Sequence, residues 1–294
     1  MSEDNLRIYR EALTEMGGEL MAFNTDLAKG KAHRSIGNMK NIIGNIGPLP
    51  REAALMGVAA DGLPVLLNVD DPEPQAILYI SDDLRSASSA MKTIIRFYAE
   101  KEYNQSNAAY KARSAVVTPF VKDWDYLFRN NEEVFAVVPT YDTKADDLIH
   151  SASAYIHSNP KIPYPFFLFL DDLSEISHMD FDTRQSIRYL MLKGAVRHLW
   201  VVASMDTRDV VELENWVTGF RTIVMGGTIS SYMMNKIFFD GRATQSDIID
   251  MMAYIVSQTR NGHNVGVEND CLKLPHNIFV IKEGNGLLPF FIPD

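Results

Sequence analysis

The chain has 294 residues, of which 28 are Lys or Arg and 38 are Asp or Glu, giving a formal charge of −10. That balance argues against a general nucleic-acid coat, because binding to phosphate backbones draws on clustered cations and counterion release. A hydrophobic fraction of 46% with 17 glycines excludes disordered and collagen-like chains and suffices for one large core or two modest ones.

The first residues, Met1-Ser2-Glu3-Asp4, lack the basic-then-apolar pattern of a secretion signal. No apolar run approaches the roughly 20 residues that a membrane helix needs. The single cysteine, Cys271, can form no disulfide within the chain and reads as a small buried apolar residue. A reducing, cytoplasmic setting without a membrane segment is therefore expected.

Apolar residues then recur at Leu6, Tyr9, Leu13, Met16, Leu20, Phe23 and Leu27, a narrow helical seam interrupted at Gly17-Gly18. It fits a helix docked on its own domain and equally an arm that packs on another subunit. Residues 30–50, with Gly30, Gly37, Gly44 and Gly47 followed by Pro48-Leu49-Pro50, read as a linker or extended crossing segment. From Ala54 the pattern turns to short strands. Two of them flank Asp61-Gly62, a two-residue hairpin signal.

Buried-strand runs follow at residues 76–80, 114–118, 134–138, 166–170, 200–203 and 222–225. Helical stretches lie between most of them. One covers 88–101; another covers 183–193, with Asp182 as its cap and Gly194 as its stop. Continuous apolar strands alternating with helices predict an α/β fold with a mainly parallel sheet covered on both faces. Residues 247–258 read as a further helix, 261–266 as a loop, and 278–292 as a hairpin closing the sheet edge.

In such a sheet, ligands bind beyond the carboxyl ends of the strands. The run at 76–80 leads into Ser81-Asp82-Asp83-Leu84-Arg85-Ser86-Ala87-Ser88 and a helix. A phosphate-binding loop there needs glycines that bring N–H groups to the phosphates, a lysine, and a hydroxyl for Mg²⁺. Of these, only the hydroxyl of Ser88 is present. The run at 166–170 ends in Asp171-Asp172, the residue type that holds Mg²⁺ and polarises water in nucleotide hydrolases, and also the type that caps helices. The seven histidines lack metal-binding spacing, no nucleophile elbow occurs, and Arg184, Arg188, Lys193 and Arg197 read as a solvated helix face.

Several segments, in order, resemble the motor domain of the FtsK/SpoIIIE family of DNA and protein translocases, within the RecA-like class. They are Gly57 to Val69, similar to the family's hairpin before the nucleotide loop; Val137 to Ala145; Ile162-Pro163-Tyr164-Pro165 running into Phe166 to Asp172; Trp200 to Met205; and Phe220 to Gly226. The resemblance implies a RecA-like domain over residues 51–294, preceded by a helical arm and linker over 1–50, and ring assembly with like neighbours. It also implies that Ser81 to Ser88 stand in the nucleotide loop, with Asp171 and Asp172 in the acidic strand motif and Asp171 the metal ligand if Mg-nucleotide binds.

The departures from the family pattern carry most weight. Ser81, Leu84 and Ser86 replace glycines, and Ala87 replaces the lysine. Asp82 and Asp83 add negative charge where phosphates would lie, and Arg85 does not stand in the lysine's place. Asp172 stands where many members have a catalytic Glu, and Met205 stands where they have a phosphate-sensing Gln, which a thioether cannot imitate. The loop then reads as a strand–helix connection capped by Asp83 or Ser86. No catalytic residue and no cofactor are expected, with ATP and Mg²⁺ the cofactor to test. The expected role is a degenerate, non-hydrolysing scaffold or regulatory subunit, a homo-oligomer or a hetero-oligomer with an active FtsK-like ATPase. The alternatives are an ATP-dependent translocase with an altered nucleotide site and a protein- or peptide-binding module of a secretion or transfer system. DNA as a partner rests on the resemblance and is not supported by charge.

Overall fold

The computed structural model of the chain describes residues 52–104, 112–130, 134–158, 162, 164–259, 265–283 and 286–293. The arm and linker read over residues 1–50 lie outside them, as does most of the loop read at 261–266. The described chain forms two compact units, residues 69–223 and residues 52–68 with 224–294.

The chain opens on an antiparallel hairpin, β1 (Ala53–Ala59) and β2 (Pro64–Asn68). Its turn is longer than the two residues expected. Ala59 N–H donates to Leu63 O at 2.8 Å, Gly62 N–H donates to Ala59 O at 2.9 Å, and Gly62 takes the left-handed φ of 83° that this wider loop requires.

Residues 69–223 hold the parallel sheet. It comprises β3 (Ile77–Ser81), β4 (Arg113–Thr118), β5 (Val134–Pro139), β6 (Phe166–Leu170) and β7 (Leu199–Asp206), ordered β3-β7-β6-β4-β5 with every pair parallel. All residues of β3 and β7 are buried, which is why these strands read as unbroken apolar runs. The helices of this unit are α1 (Leu84–Asn104), α2 (Val121–Asn130), α3 (Thr143–Ser158), α4 (Leu173–Ser177), α5 (Phe181–Lys193) and α6 (Glu214–Val217). Helix α1 buries Ala87, Ala90, Met91, Ile94 and Tyr98, the i, i+3, i+4 spacing of one face, against β3 and β7. It begins four residues before the expected start. Helix α5 begins two residues early, because its cap is Asp180 and not Asp182: Asp180 Oδ1 accepts from the N–H groups of Asp182 at 2.8 Å and Thr183 at 3.0 Å.

Strand β8 (Thr222–Gly226) carries the chain into the unit that also holds β1 and β2, followed by β9 (Thr228–Ser230), α7 (Ser231–Phe239), α8 (Gln245–Thr259), β10 (Gly266–Glu268), β11 (Cys271–Lys273), β12 (Ile278–Glu283) and β13 (Gly286–Phe291). The C-terminal hairpin β12–β13 does not close an edge. It lies inside the order β2-β1-β13-β12-β8, with Phe291 opposite Val58 and Phe279 opposite Gly226. Ile278 to Ile281 are all buried, as an interior strand demands. A small sheet, β10-β11-β9, which the sequence pattern does not predict, precedes it, and Cys271 in β11 is half-buried.

Candidate functional site

The strand register sets the site. Val117 of β4 pairs with Leu170 of β6, and Leu170 pairs with Ala203 of β7. The next residue on each strand, Thr118, Asp171 and Ser204, therefore lies at one level at the carboxyl end of the sheet. Asp171 is 1% exposed. Its Oδ1 accepts from Ser88 Oγ at 2.5 Å and Ser204 Oγ at 2.7 Å; its Oδ2 accepts from Thr118 Oγ1 at 2.9 Å and Trp124 Nε1 at 2.8 Å. A carboxylate offers about four acceptor sites, so these four donors match it fully. Ser88 comes from the second turn of α1 and Trp124 from the first turn of α2. Trp124 is fully buried and packs on Phe169, with ring centroids 5.8 Å apart.

Lys92 lies one helical turn beyond Ser88. It is 8% exposed, and its ammonium sits 4.6 Å from the centre of the Trp124 ring. Burial holds its pKa below the usual lysine value, while the negative charges of Asp171 and Asp123 oppose that shift.

The segment Ser81 to Ser88 is wound into a helix start. Asp83 Oδ1 accepts from Arg85 N–H at 3.1 Å, and Asp83 Oδ2 accepts from Ser86 Oγ at 2.7 Å. The N–H groups of Ser86 and Ala87 donate to Asp83 O at 3.0 and 3.3 Å, and Ser81 Oγ accepts from Asp83 N–H at 3.2 Å. The Asp83 carboxylate and carbonyl together thus take the first free N–H groups of the helix. Leu84 and Arg85 are the first residues of α1, Asp82 is exposed, and Ala87 is fully buried.

Asp172 serves α4. Its side chain accepts from Ser174 N–H at 3.2 Å, its own N–H donates to Ser204 Oγ at 2.8 Å, and its backbone is left-handed with φ 69°. Burial raises the pKa of its carboxyl, against the hydrogen bonds from the backbone of Ser174 and Glu175 that lower it. Met205 is fully buried in β7 beside Ile80 of β3, so its thioether belongs to the core. One residue further, Asp206 pairs with Ser81 in register and binds the Arg208 guanidinium through Nε at 2.9 Å and Nη2 at 2.5 Å, which holds its carboxyl below the ordinary value.

Of the residues named from sequence, Ser88 and Asp171 are brought together. Ser81 to Ala87 form the helix entry, and Asp172 faces its own helix. Thr118, Ser204, Lys92 and Trp124 were not named. Thr118 and Ser204 were legible as the residues that end neighbouring strands, and Lys92 as Ser88 plus one turn. No local pattern marked Trp124. Among the described residues no group of three or more His, Cys, Asp and Glu could hold a metal, and no helix is long and apolar enough to cross a membrane. Within the other unit, a cavity of about 760 Å³ is lined by Phe239, Arg242, Asp250, Tyr254 and Leu288 among others, and by none of the candidate site residues 81–88, 171 and 172.

No protein-family model and no curated protein matches the chain. Solved structures do. The cytoplasmic domain of EssC aligns with a TM-score of 0.56 at 9% identity, over 87% of this chain and 46% of that one. EccC of Thermomonospora curvata (ATPases 2 and 3), in complex with a signal sequence peptide, aligns at 0.54 and 12% identity, over 84% and 44%. The cytoplasmic domain of the Thermomonospora curvata type VII secretion ATPase EccC aligns at 0.52 and 14%, over 84% and 28%. The chain spans less than half the length of each of these structures. Its fold is the RecA-like P-loop fold that these ATPase domains share.

Proposed function

We propose that this chain is a non-hydrolysing ATPase-fold subunit, a scaffold or regulatory member of a ring or translocation complex of the secretion kind. The observation that carries the reading is the helix entry at Asp83. The Asp83 carboxylate takes the Arg85 N–H and the Ser86 hydroxyl, and its backbone carbonyl takes the N–H groups of Ser86 and Ala87, so an internal anion stands at the helix entry where an external one would bind. Ala87, where the resemblance places the lysine, is buried, and a charge there would be expensive without a partner. The residues present do not fit a magnesium–nucleotide and support no hydrolytic step.

The assembly half of the reading is supported by the neighbours. The EccC structure in complex with a signal sequence peptide holds two ATPase units, numbered 2 and 3, so a fold of this kind occurs there beside another. Light scattering of the chain alone and mixed with an intact FtsK-like ATPase tests it. The expected result is a species heavier than one chain in at least one of the two samples; a single-chain mass in every mixture removes the assembly role.

A further inference from the structure

We infer that Trp124 and Lys92 close the divalent-cation position at Asp171, so that this chain excludes the metal independently of what its phosphate loop contains. The inference rests on the non-hydrolysing reading and extends it to residues outside every nucleotide-binding motif.

In P-loop enzymes the cation lies between the loop hydroxyl and the strand-end aspartate. Ser88 and Asp171 retain that pair, and their hydrogen bond alone is no obstacle. A hydroxyl is donor and acceptor at once, so Ser88, Thr118 and Ser204 can each rotate and turn a lone pair toward a metal or its water. An indole N–H is a donor only. A metal-bound water reaching Asp171 also presents hydrogens, so it competes with Trp124 Nε1 for the same oxygen lone pair. Trp124 cannot readily yield, because it is fully buried against Phe169.

Lys92 adds a second barrier. Its ammonium lies over the Trp124 ring, 4.6 Å from the indole centre, where a cation gains from the ring face. A dication beside Asp171 would share this water-poor region with a fixed positive charge, and like charges repel more strongly there than in bulk water. The indole thus fills one acceptor site of Asp171, and the ammonium supplies positive charge that the metal supplies elsewhere. Restoring glycines and a lysine to residues 81–88 would leave both barriers in place.

Mn²⁺ is the probe, read by electron paramagnetic resonance on the wild-type chain, on a Trp124→Phe/Lys92→Met double variant, and on that variant with Asp171→Asn added. Both substitutions keep most of the side-chain volume. The wild type is expected to leave the free Mn²⁺ signal unattenuated. The double variant is expected to bind Mn²⁺ at least about tenfold more tightly, and Asp171→Asn is expected to abolish that binding. A wild-type site lost with Asp171→Asn, or a folded double variant with no site, overturns the inference. If the double variant does not fold, the wild-type indole resonance of Trp124 decides. Its line should stay sharp in millimolar Mn²⁺, and paramagnetic broadening would count against closure. Turnover of ATP by the wild type would sink the non-hydrolysing reading, whereas Mn²⁺ binding without turnover would overturn the closure alone, so the two failures are distinct.

Discussion

Asp83, Asp172 and Asp180 act alike, each accepting from a backbone N–H two residues ahead and so starting a helix. Asp171 differs because the strand register places it among donors from β4, β7, α1 and α2. The same side chain is thus a cap or a buried hub according to the backbone around it. Asp180 gives this contrast a pH signature. The Thr183 hydroxyl, which lies 2.6 Å from Asp180 Oδ2, and the Thr183 N–H lower its pKa from an ordinary 3.8 to about 2. A carboxylate whose folded pKa is depressed adds stability that is complete above the unfolded value and is lost as pH falls through the folded one. The start of α5 should therefore weaken between about pH 4 and pH 2, and Asp180→Asn should flatten that limb of the unfolding curve. A carbon NMR titration of Asp180 with an unshifted midpoint would contradict this.

At the scale of elements, the C-terminal hairpin is held by a close approach at Gly57 of β1. A Cβ at that position would lie 2.4 Å from the Phe290 ring and 2.6 Å from Phe291 O. The carbonyl is fixed by the sheet and cannot withdraw as a side chain can. Gly57→Ala should cost about 1–3 kcal/mol in urea unfolding, and an unchanged midpoint would show that β1 and β13 have room to part. The elements themselves were largely legible. Apolar runs at 166–170 and 200–203 are β6 and most of β7, because strands buried on both faces need no alternation. Helix starts were missed by two and four residues, because several aspartates near each start can serve as the cap and only the fold selects one. The place of the C-terminal hairpin in its sheet was missed because strand order is not a local property. Trp124 went unnoticed for the same reason: its role exists only once α2 has packed beside Asp171.

For the molecule as a whole, the fold is that of ATPase domains, while Asp82 and Asp83 place negative charge in the segment that the proposed reading equates with a phosphate loop. The sequence signalled this through the missing lysine and glycines. On the proposed reading the vacated roles are taken over internally, by the Asp83 carboxylate at the helix entry and by Trp124 beside Asp171. Thermal unfolding with and without millimolar Mg-ATP tests the central claim most directly, because a ligand that binds only the folded state raises its stability by about 2.7 kcal/mol at a hundredfold excess over Kd. Coincident unfolding curves are expected. A saturable rise in Tm that disappears with Asp171→Asn would contradict it.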